Sequence, residues 1–242
     1  MPLTPLTSAA EVLVAADHDP YVRGRLSRTD VEGWAGHDAV AWRFSDGHVM
    51  THGAPAAVAL LLEALLTELR DKQVVTVPRG TAPLLPAWVA LEGTDWDFRW
   101  TTKRPERQPL EAEVVDVADD DVAELLGVAN PDASARPGDA RVRRWVGIRH
   151  TGRAYLIACA ADTSEATAVG HISSIAVRPD MRGSGLGAAV TSALIGDLLT
   201  ADCDVVTLGM YASNTAGRAL YDRLGMHERG YTSGALRIRS RW

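Results

Sequence analysis

Lysine is almost missing from this 242-residue chain: Lys72 and Lys103 are the only lysines among 25 basic residues. With alanine and arginine plentiful, the skew points to a GC-rich bacterial genome. Cysteine is equally scarce. Cys159 and Cys203 lack CxxC spacing, which excludes a disulfide scaffold and reads as two small buried apolar residues. No apolar run is long. The longest, Ala54 to Leu62, meets Glu63 well short of the roughly 20 residues a membrane span needs. The first residues, Met-Pro-Leu-Thr-Pro-Leu-Thr-Ser, show neither a basic segment nor a continuous apolar one, so the expected location is cytoplasmic. A surplus of positive charge is absent as well. Net charge is −6, and a cut after Leu110 leaves 11 basic against 14 acidic residues before it and 14 against 17 after, −3 on each side. Neither side can neutralise a run of phosphates, so nucleic acid is not an expected partner. The one local cluster, Arg141, Arg143, Arg144 and Arg149, reads as a solvated strand edge.

What is present suits a soluble globular protein: 46% hydrophobic and 23% charged residues, with length for two modest domains. The segment Thr101 to Pro109 is polar, charged and carries two prolines, so it reads as an exposed linker between domains spanning 1–105 and 110–242. Before it, two strands flank Ser45-Asp46-Gly47. A helix with apolar residues at three- and four-residue spacing covers Ala54 to Arg70, and strands follow at Val74–Val77 and Trp96–Trp100. The aromatics Trp34, Trp42, Trp88, Trp96 and Phe98 are read as core. After the linker the order is strand Glu113–Val117, a helix opened by Asp119-Asp-Asp121, and a loop Asn130–Asp139. A hairpin turns through Gly152, and a strand Val169–Val177 leads into an apolar helix Ser184–Thr200. Next come a strand Asp204–Met210, a helix Asn214–Leu224 ended by Gly225, and a last strand in Gly230–Arg239. The expected fold is α/β (α+β): a mixed, mostly antiparallel sheet flanked by helices.

Chemistry concentrates at one junction. The strand ending at Val177 passes through Arg178-Pro-Asp-Met-Arg182 into Gly183-Ser-Gly185-Leu-Gly187-Ala188, which opens a helix. Glycines let backbone N–H groups turn toward a ligand, and the helix start adds partial positive charge, so the junction suits a phosphate or pyrophosphate. As a string it also satisfies the dinucleotide fingerprint GxGxxG/A. That reading fails on context, because Asp202 and Asp204 precede or begin the next strand instead of ending it, and too little chain follows for a doubly wound domain. No GxxxxGK[ST] string occurs, which excludes a P-loop. No metal site is expected either: His48 and His52 sit four apart in a strand and turn, where that spacing does not converge two imidazoles.

These residues resemble the GNAT superfamily of acyl-CoA-dependent N-acyltransferases. Arg182-Gly-Ser-Gly185-Leu-Gly187 is similar to its Arg/Gln-x-x-Gly-x-Gly/Ala signature. Asn214-Thr-Ala-Gly-Arg-Ala-Leu-Tyr221-Asp-Arg-Leu-Gly225-Met226 resembles its Asn-x-x-Ala-x-x-x-Tyr-x-x-x-Gly-Phe segment. The likeness covers about residues 111–240. The first part looks like a degenerate copy, since its helix start, Thr51-His-Gly-Ala-Pro, lacks the paired glycines, so two tandem GNAT-like domains are expected with one coenzyme site.

The resemblance implies acetyl-CoA as co-substrate. Arg182, Gly183, Ser184, Gly185, Leu186, Gly187 and Ala188 would hold its pyrophosphate, Ile175, Ala176 and Val177 would pair with the pantetheine arm, and Asn214 would assist. It implies a Val177 N–H as oxyanion donor and Tyr221 as general acid toward the departing thiolate. The base is open. His171, acting directly or through Ser173 and water, is one candidate, and a water chain or an already neutral amine is another. The acceptor would be a small-molecule or protein amine, in a monomer or homodimer. A coenzyme-binding sensor without catalysis is the competing function.

Overall fold

A computed structural model describes residues 3–26, 31–166 and 168–239. The elements, in order, are β1 (Thr4–Leu6), α1 (Ala9–Ala15), α2 (Pro20–Arg25), β2 (Val31–Gly36), β3 (Ala39–Phe44), β4 (Val49–Gly53), α3 (Pro55–Ala64), β5 (Val74–Pro78) and β6 (Val89–Thr101). Then come β7 (Val115–Val117), α4 (Asp119–Ala129), β8 (Arg144–Arg149), β9 (Leu156–Asp162), β10 (Val169–Val177), α5 (Leu186–Thr200), β11 (Val205–Tyr211), α6 (Thr215–Arg223) and β12 (His227–Ile238). Among the described residues no helix is long and apolar enough to cross a membrane.

The chain forms two units. The first takes the residues through Phe98, then Met210–Asn214, then those from Glu228 onward; the second takes Arg99–Gly209 and Thr215–His227. This differs from two consecutive domains of residues 1–105 and 110–242. The reason is a pairing no linear reading reveals: β12 runs antiparallel to β5, with Tyr231 opposite Pro78 and Ala235 opposite Val74, so the last strand belongs with the first residues. The segment Thr101–Pro109 is mostly exposed, as its composition demands, but its ends are fastened. Just beyond it the Glu111 carboxylate is buried and accepts from the Ser192 hydroxyl (2.5 Å) and the Gln108 N–H (2.8 Å). Arg104 lies against Gly196 of α5, where a Cβ would stand 2.8 Å from its guanidinium carbon.

Within the first unit the strands run β1-β2-β3-β4-β5-β12-β6. The pairs β1/β2, β2/β3 and β3/β4 are antiparallel, and β4/β5 is parallel because α3 carries the chain over between them. α3 buries Val58, Leu61 and Leu62 against Val49, Val75 and Val77 of the sheet. It stops at Ala64 instead of running to Arg70, and looser turns cover the remainder. The aromatics close a second core: Tyr21 stacks on Tyr231 (centroids 4.2 Å), meets Phe98 edge-on (5.3 Å) and neighbours Trp42 (6.1 Å).

In the second unit the order is β11-β10-β9-β8-β7. Again β7/β8, β8/β9 and β9/β10 are antiparallel and β10/β11 is parallel, with α5 as the crossover. The two units therefore share one succession of strands and helices. α4 begins with Asp119, Asp120 and Asp121 at its electropositive end. It buries Val122, Leu125 and Leu126 on Trp145, Leu156 and Cys159. Full burial pushes the Cys159 thiol up to about 12, so it is an inert core residue. α5 is buried almost all round, from Leu186 to Leu198 with Asp197 exposed, which is why the sequence shows no clear stripe there.

Candidate active site

Strand β10 carries a bulge. Ser173 faces Ala161 of β9 and Ala176 faces Cys159, so three steps on β10 match two on β9. Ser174 sits at the bulge with φ +50 and is buried; its hydroxyl donates to Ala135 O (2.8 Å) and accepts from Ala135 N–H (2.9 Å), which ties the loop Asn130–Asp139 to the strand. The parallel register with β11 runs from Val169 opposite Val205 to Ile172 opposite Leu208 and goes no further. Beyond the bulge the pairing with β9 continues, as Arg178 N–H donates to Ile157 O at 2.9 Å. Strand amides alternate sides, so Ala176 N–H shares the β9 side with Arg178 N–H, while Val177 N–H points away from β9. That is the orientation an oxyanion donor or an added extended chain requires.

The chain then turns through Pro179–Met181 into the glycine loop. Gly183 (φ +80) and Gly185 (φ +85) hold left-handed backbone with open space where a Cβ would stand. Gly185 caps α5; Ala189 N–H is bonded back to Gly185 O (3.0 Å), so the amides of Leu186, Gly187 and Ala188 lie in the first turn, which has no intrahelical acceptors. No acidic residue stands in that turn and no side chain caps it. The positive end of α5 is thus left for an external anion. The Arg182 guanidinium spends its donors on main chain, reaching Val177 O (3.4 Å) and Ala129 O (3.1 Å), and Ser184 donates to Met181 O (2.5 Å). These two side chains brace the loop, and the loop backbone offers the donors.

Helix α6 packs on this turn. A Cβ on Gly187 would meet Leu220 Cδ1 at 3.0 Å and Val177 Cγ2 at 3.5 Å, so glycine here lets helix and strand close in. Tyr221, next to Leu220, is 6% exposed. Burial pushes its phenol up to about 12, with Arg99 pulling the other way, so it stays protonated through the neutral range and keeps a proton to give. The helix ends as expected at Gly225 (φ +71), with Met226 N–H on Tyr221 O (3.0 Å) and Gly225 N–H on Asp222 O (3.0 Å).

The structure places two further residues expected at the site. His171 and Ser173 do share a face, but they do not form a relay. The His171 ring bonds through Nδ1 to Thr207 Oγ1 (2.9 Å), Thr207 donates to Gly170 O (3.0 Å), and Ser173 accepts from Thr163 (3.1 Å). Because the Thr207 proton is already placed on Gly170 O, Nδ1 carries the histidine hydrogen. The bulge also puts His171 on the face of Ala161 and Ala176, whereas Val177 pairs with Ala158 on the other. Histidine and oxyanion candidate are six residues apart on opposite faces. Asn214, expected to assist with the coenzyme, lies one residue before α6 with its N–H on Tyr211 O (3.0 Å), and its contacts group it with the first unit. What sequence reasoning missed is Arg99: nothing in a strand pattern distinguishes a buried arginine from an exposed one. Among the described residues no group of three or more His, Cys, Asp or Glu gathers as metal ligands do.

Comparison with known proteins agrees with this geometry. A family model described as FR47-like protein matches residues 145–233, the stretch from β8 into β12. A Drosophila protein of known structure superposes with TM-score 0.63 at 15% identity, over 96% of this chain and 98% of its own. A GCN5-related N-acetyltransferase from Sphaerobacter thermophilus gives 0.58 at 16%, over 98% and 96%. A protein assigned to the GNAT family from Novosphingobium aromaticivorans gives 0.51 at 22%, over 85% and 90%. At these identities the likeness establishes the fold.

Proposed function

We propose that this protein is a member of the GNAT superfamily and an N-acetyltransferase, moving the acetyl group of acetyl-CoA to a primary amine by direct attack in a ternary complex. The observation that carries the reading is the unoccluded start of α5: two left-handed glycines and a first turn free of acids, at the end of a strand whose Val177 N–H faces away from its partner. The amides from Gly183 to Ala188 suit the coenzyme pyrophosphate, and the backbone of Ile175 to Val177 suits the pantetheine arm as an added strand. The amine attacks the thioester carbonyl, Val177 N–H stabilises the oxyanion, and Tyr221 protonates the departing sulfur. No side chain is assigned as base; the amine attacks in its neutral form and its proton leaves to water.

Two supports lie outside the loop. Similar chains include one named a GCN5-related N-acetyltransferase. The net charge of −6 also favours a cationic acceptor, whether a small polyamine-like molecule or a protein amine. The decisive experiment is acetyl-CoA thioester loss across a panel of amines, with Tyr221→Phe beside wild type. Turnover should fall on the order of 10- to 100-fold in the variant while coenzyme affinity stays within about twofold. A His171→Ala variant should keep the wild-type pH–rate profile. Tight coenzyme binding with no turnover for any amine would favour a sensor over an enzyme.

A further inference from the structure

Arg99, among the last three residues of β6, is 1% exposed yet carries a permanent charge. Its Nη1 donates to Asp222 Oδ1 at 2.6 Å, and Asp222 follows Tyr221 directly on α6. The Asp222 side chain is 57% exposed, so the pair joins a cation inside to a carboxylate largely in water. As a fastening this is poor design, because an apolar pair of the same size does as well without desolvating a charge. Placed beside Tyr221, the arrangement has a use. The tyrosine is buried, and Arg99, bonded to the next residue on the helix, carries a charge that pulls the phenol down against the effect of burial. An ordinary thiol titrates near about 8.5. Even with Arg99 pulling it down, the phenol stands at about 12, so passing its proton to a thiolate runs against a gradient that is steeper still without the cation.

We propose that Arg99 is a positioning residue for acetyl transfer: a fixed cation beside Tyr221 that stabilises the phenolate formed as the hydroxyl protonates the departing sulfur. The inference rests on the acetyltransferase reading above. In the step concerned, the amine nitrogen bonds to the carbonyl carbon, the C–S bond breaks, and its electron pair goes to sulfur. Sulfur takes the proton from Tyr221 Oη, leaving free coenzyme thiol and a phenolate whose charge Arg99 balances. Solvent then returns a proton to the phenolate and accepts the one lost by the amine. Asp222 holds the guanidinium in register with α6, and its own negative charge is screened by the water around it.

The test uses the full chain carrying a fluorinated tyrosine at position 221, whose ionisation lies within the range the fold tolerates, followed by fluorine NMR against pH. Arg99→Met should move that titration up by about one pH unit, Arg99→Lys should restore most of it, and Asp222→Asn should move it down. Turnover of Arg99→Met with the natural tyrosine should fall about tenfold with the KM for acetyl-CoA little changed, and by less than about twofold in a Tyr221→Phe background. Equal losses in both backgrounds, or a titration that ignores Arg99, overturns the proposal. If Arg99→Met does not fold, Arg99→Gln serves in its place, and Asp222→Asn supplies the opposite sign. A silent Tyr221→Phe alongside a titration that responds to Arg99 would instead remove Tyr221 from the transfer reading, so the two failures are told apart.

Discussion

α3 and α5 occupy the same place in their units, each the crossover of a parallel strand pair, and their opening turns are built differently. Before α5 the chain spends two left-handed glycines on a loop with open space around it. Before α3 it spends one: Gly53 (φ +140), where a Cβ would lie 2.9 Å from Ala39 Cβ and 3.1 Å from Asp38 O. Ala54 caps α3, and Pro55 takes the first position, removing a donor that an anion would use. The strands differ too. β10 bulges and leaves the register of β11 after Ile172, while Thr51 of β4 is fastened across to Thr76 O (2.9 Å). One topology thus yields an open turn or a packed joint, according to which residues fill the turn.

Exchanging those features should have the largest effect. Gly185→Asp places a carboxylate on the first-turn amides, and coenzyme affinity measured calorimetrically should drop by about 100-fold or more with the fold intact. Gly53→Ala should do the reverse: a thermal melt lowered by about 1–3 kcal/mol of overpacking, and affinity unchanged. If Gly53→Ala weakened coenzyme binding as strongly as Gly185→Asp, the contrast between the two turns would collapse.

A smaller difference between the units is expected with pH. Burial lowers the pKa of His48 and His52, against the pull of Asp46 and Asp19 respectively. Both histidines belong to the first unit, and His48 Nε2 bonds to Thr76 Oγ1 (2.9 Å). The unfolded chain, with ordinary histidines near about 6.5, binds their protons more readily. Their contribution is therefore complete above that pH and is lost as pH falls through the lower folded values. Melts at pH 7.5 and 5 should show the first unit losing on the order of a few °C more than a His48→Gln variant. An equal loss in both would show that acid acts elsewhere.

Least of all should change at the exposed pairs. Arg144 reaches Asp116 (3.1 Å) and Asp197 (2.8 Å) in the second unit, and its side chain is 36% exposed. Arg144→Ala should cost no more than about 1 kcal/mol in denaturant unfolding, with salt narrowing the difference. The bidentate Asp19–Arg229 pair of the first unit, 2.9 Å on both arms and more enclosed, sets the scale above which Arg144 would count as structural.

The parts legible in the sequence were those written locally. The glycine loop, the acidic first turn of α4, the turn at Gly225 and the strand β10 each announce themselves within a few residues. β1, α1, α2 and β2 were not assigned, being short and bounded by residues such as Asp17 and His18 in left-handed backbone. The bulge at Ser174 was equally hidden, because its stabilising partner, Ala135, is 39 residues away. It decided the fate of His171, since a two-residue rule for faces fails once an extra residue enters the strand. The burial of Arg99 and the pairing of β12, a strand the sequence does show, were hidden for a related reason: their partners lie more than 100 residues away.

The pairing of β5 with β12 has an outcome in time as well as in space. About 130 residues separate Phe98 from Glu228. At roughly 5–20 residues per second, the ribosome finishes the strand that completes the first unit about 7–26 s after emitting the rest of that unit's opening stretch. For that interval β5 presents a bare edge of Val74, Val75 and Val77, the kind of template on which nascent chains join one another. The half of the protein made first is the half that closes last, and a premature stop anywhere in the second unit would be paid in misassembly of the first.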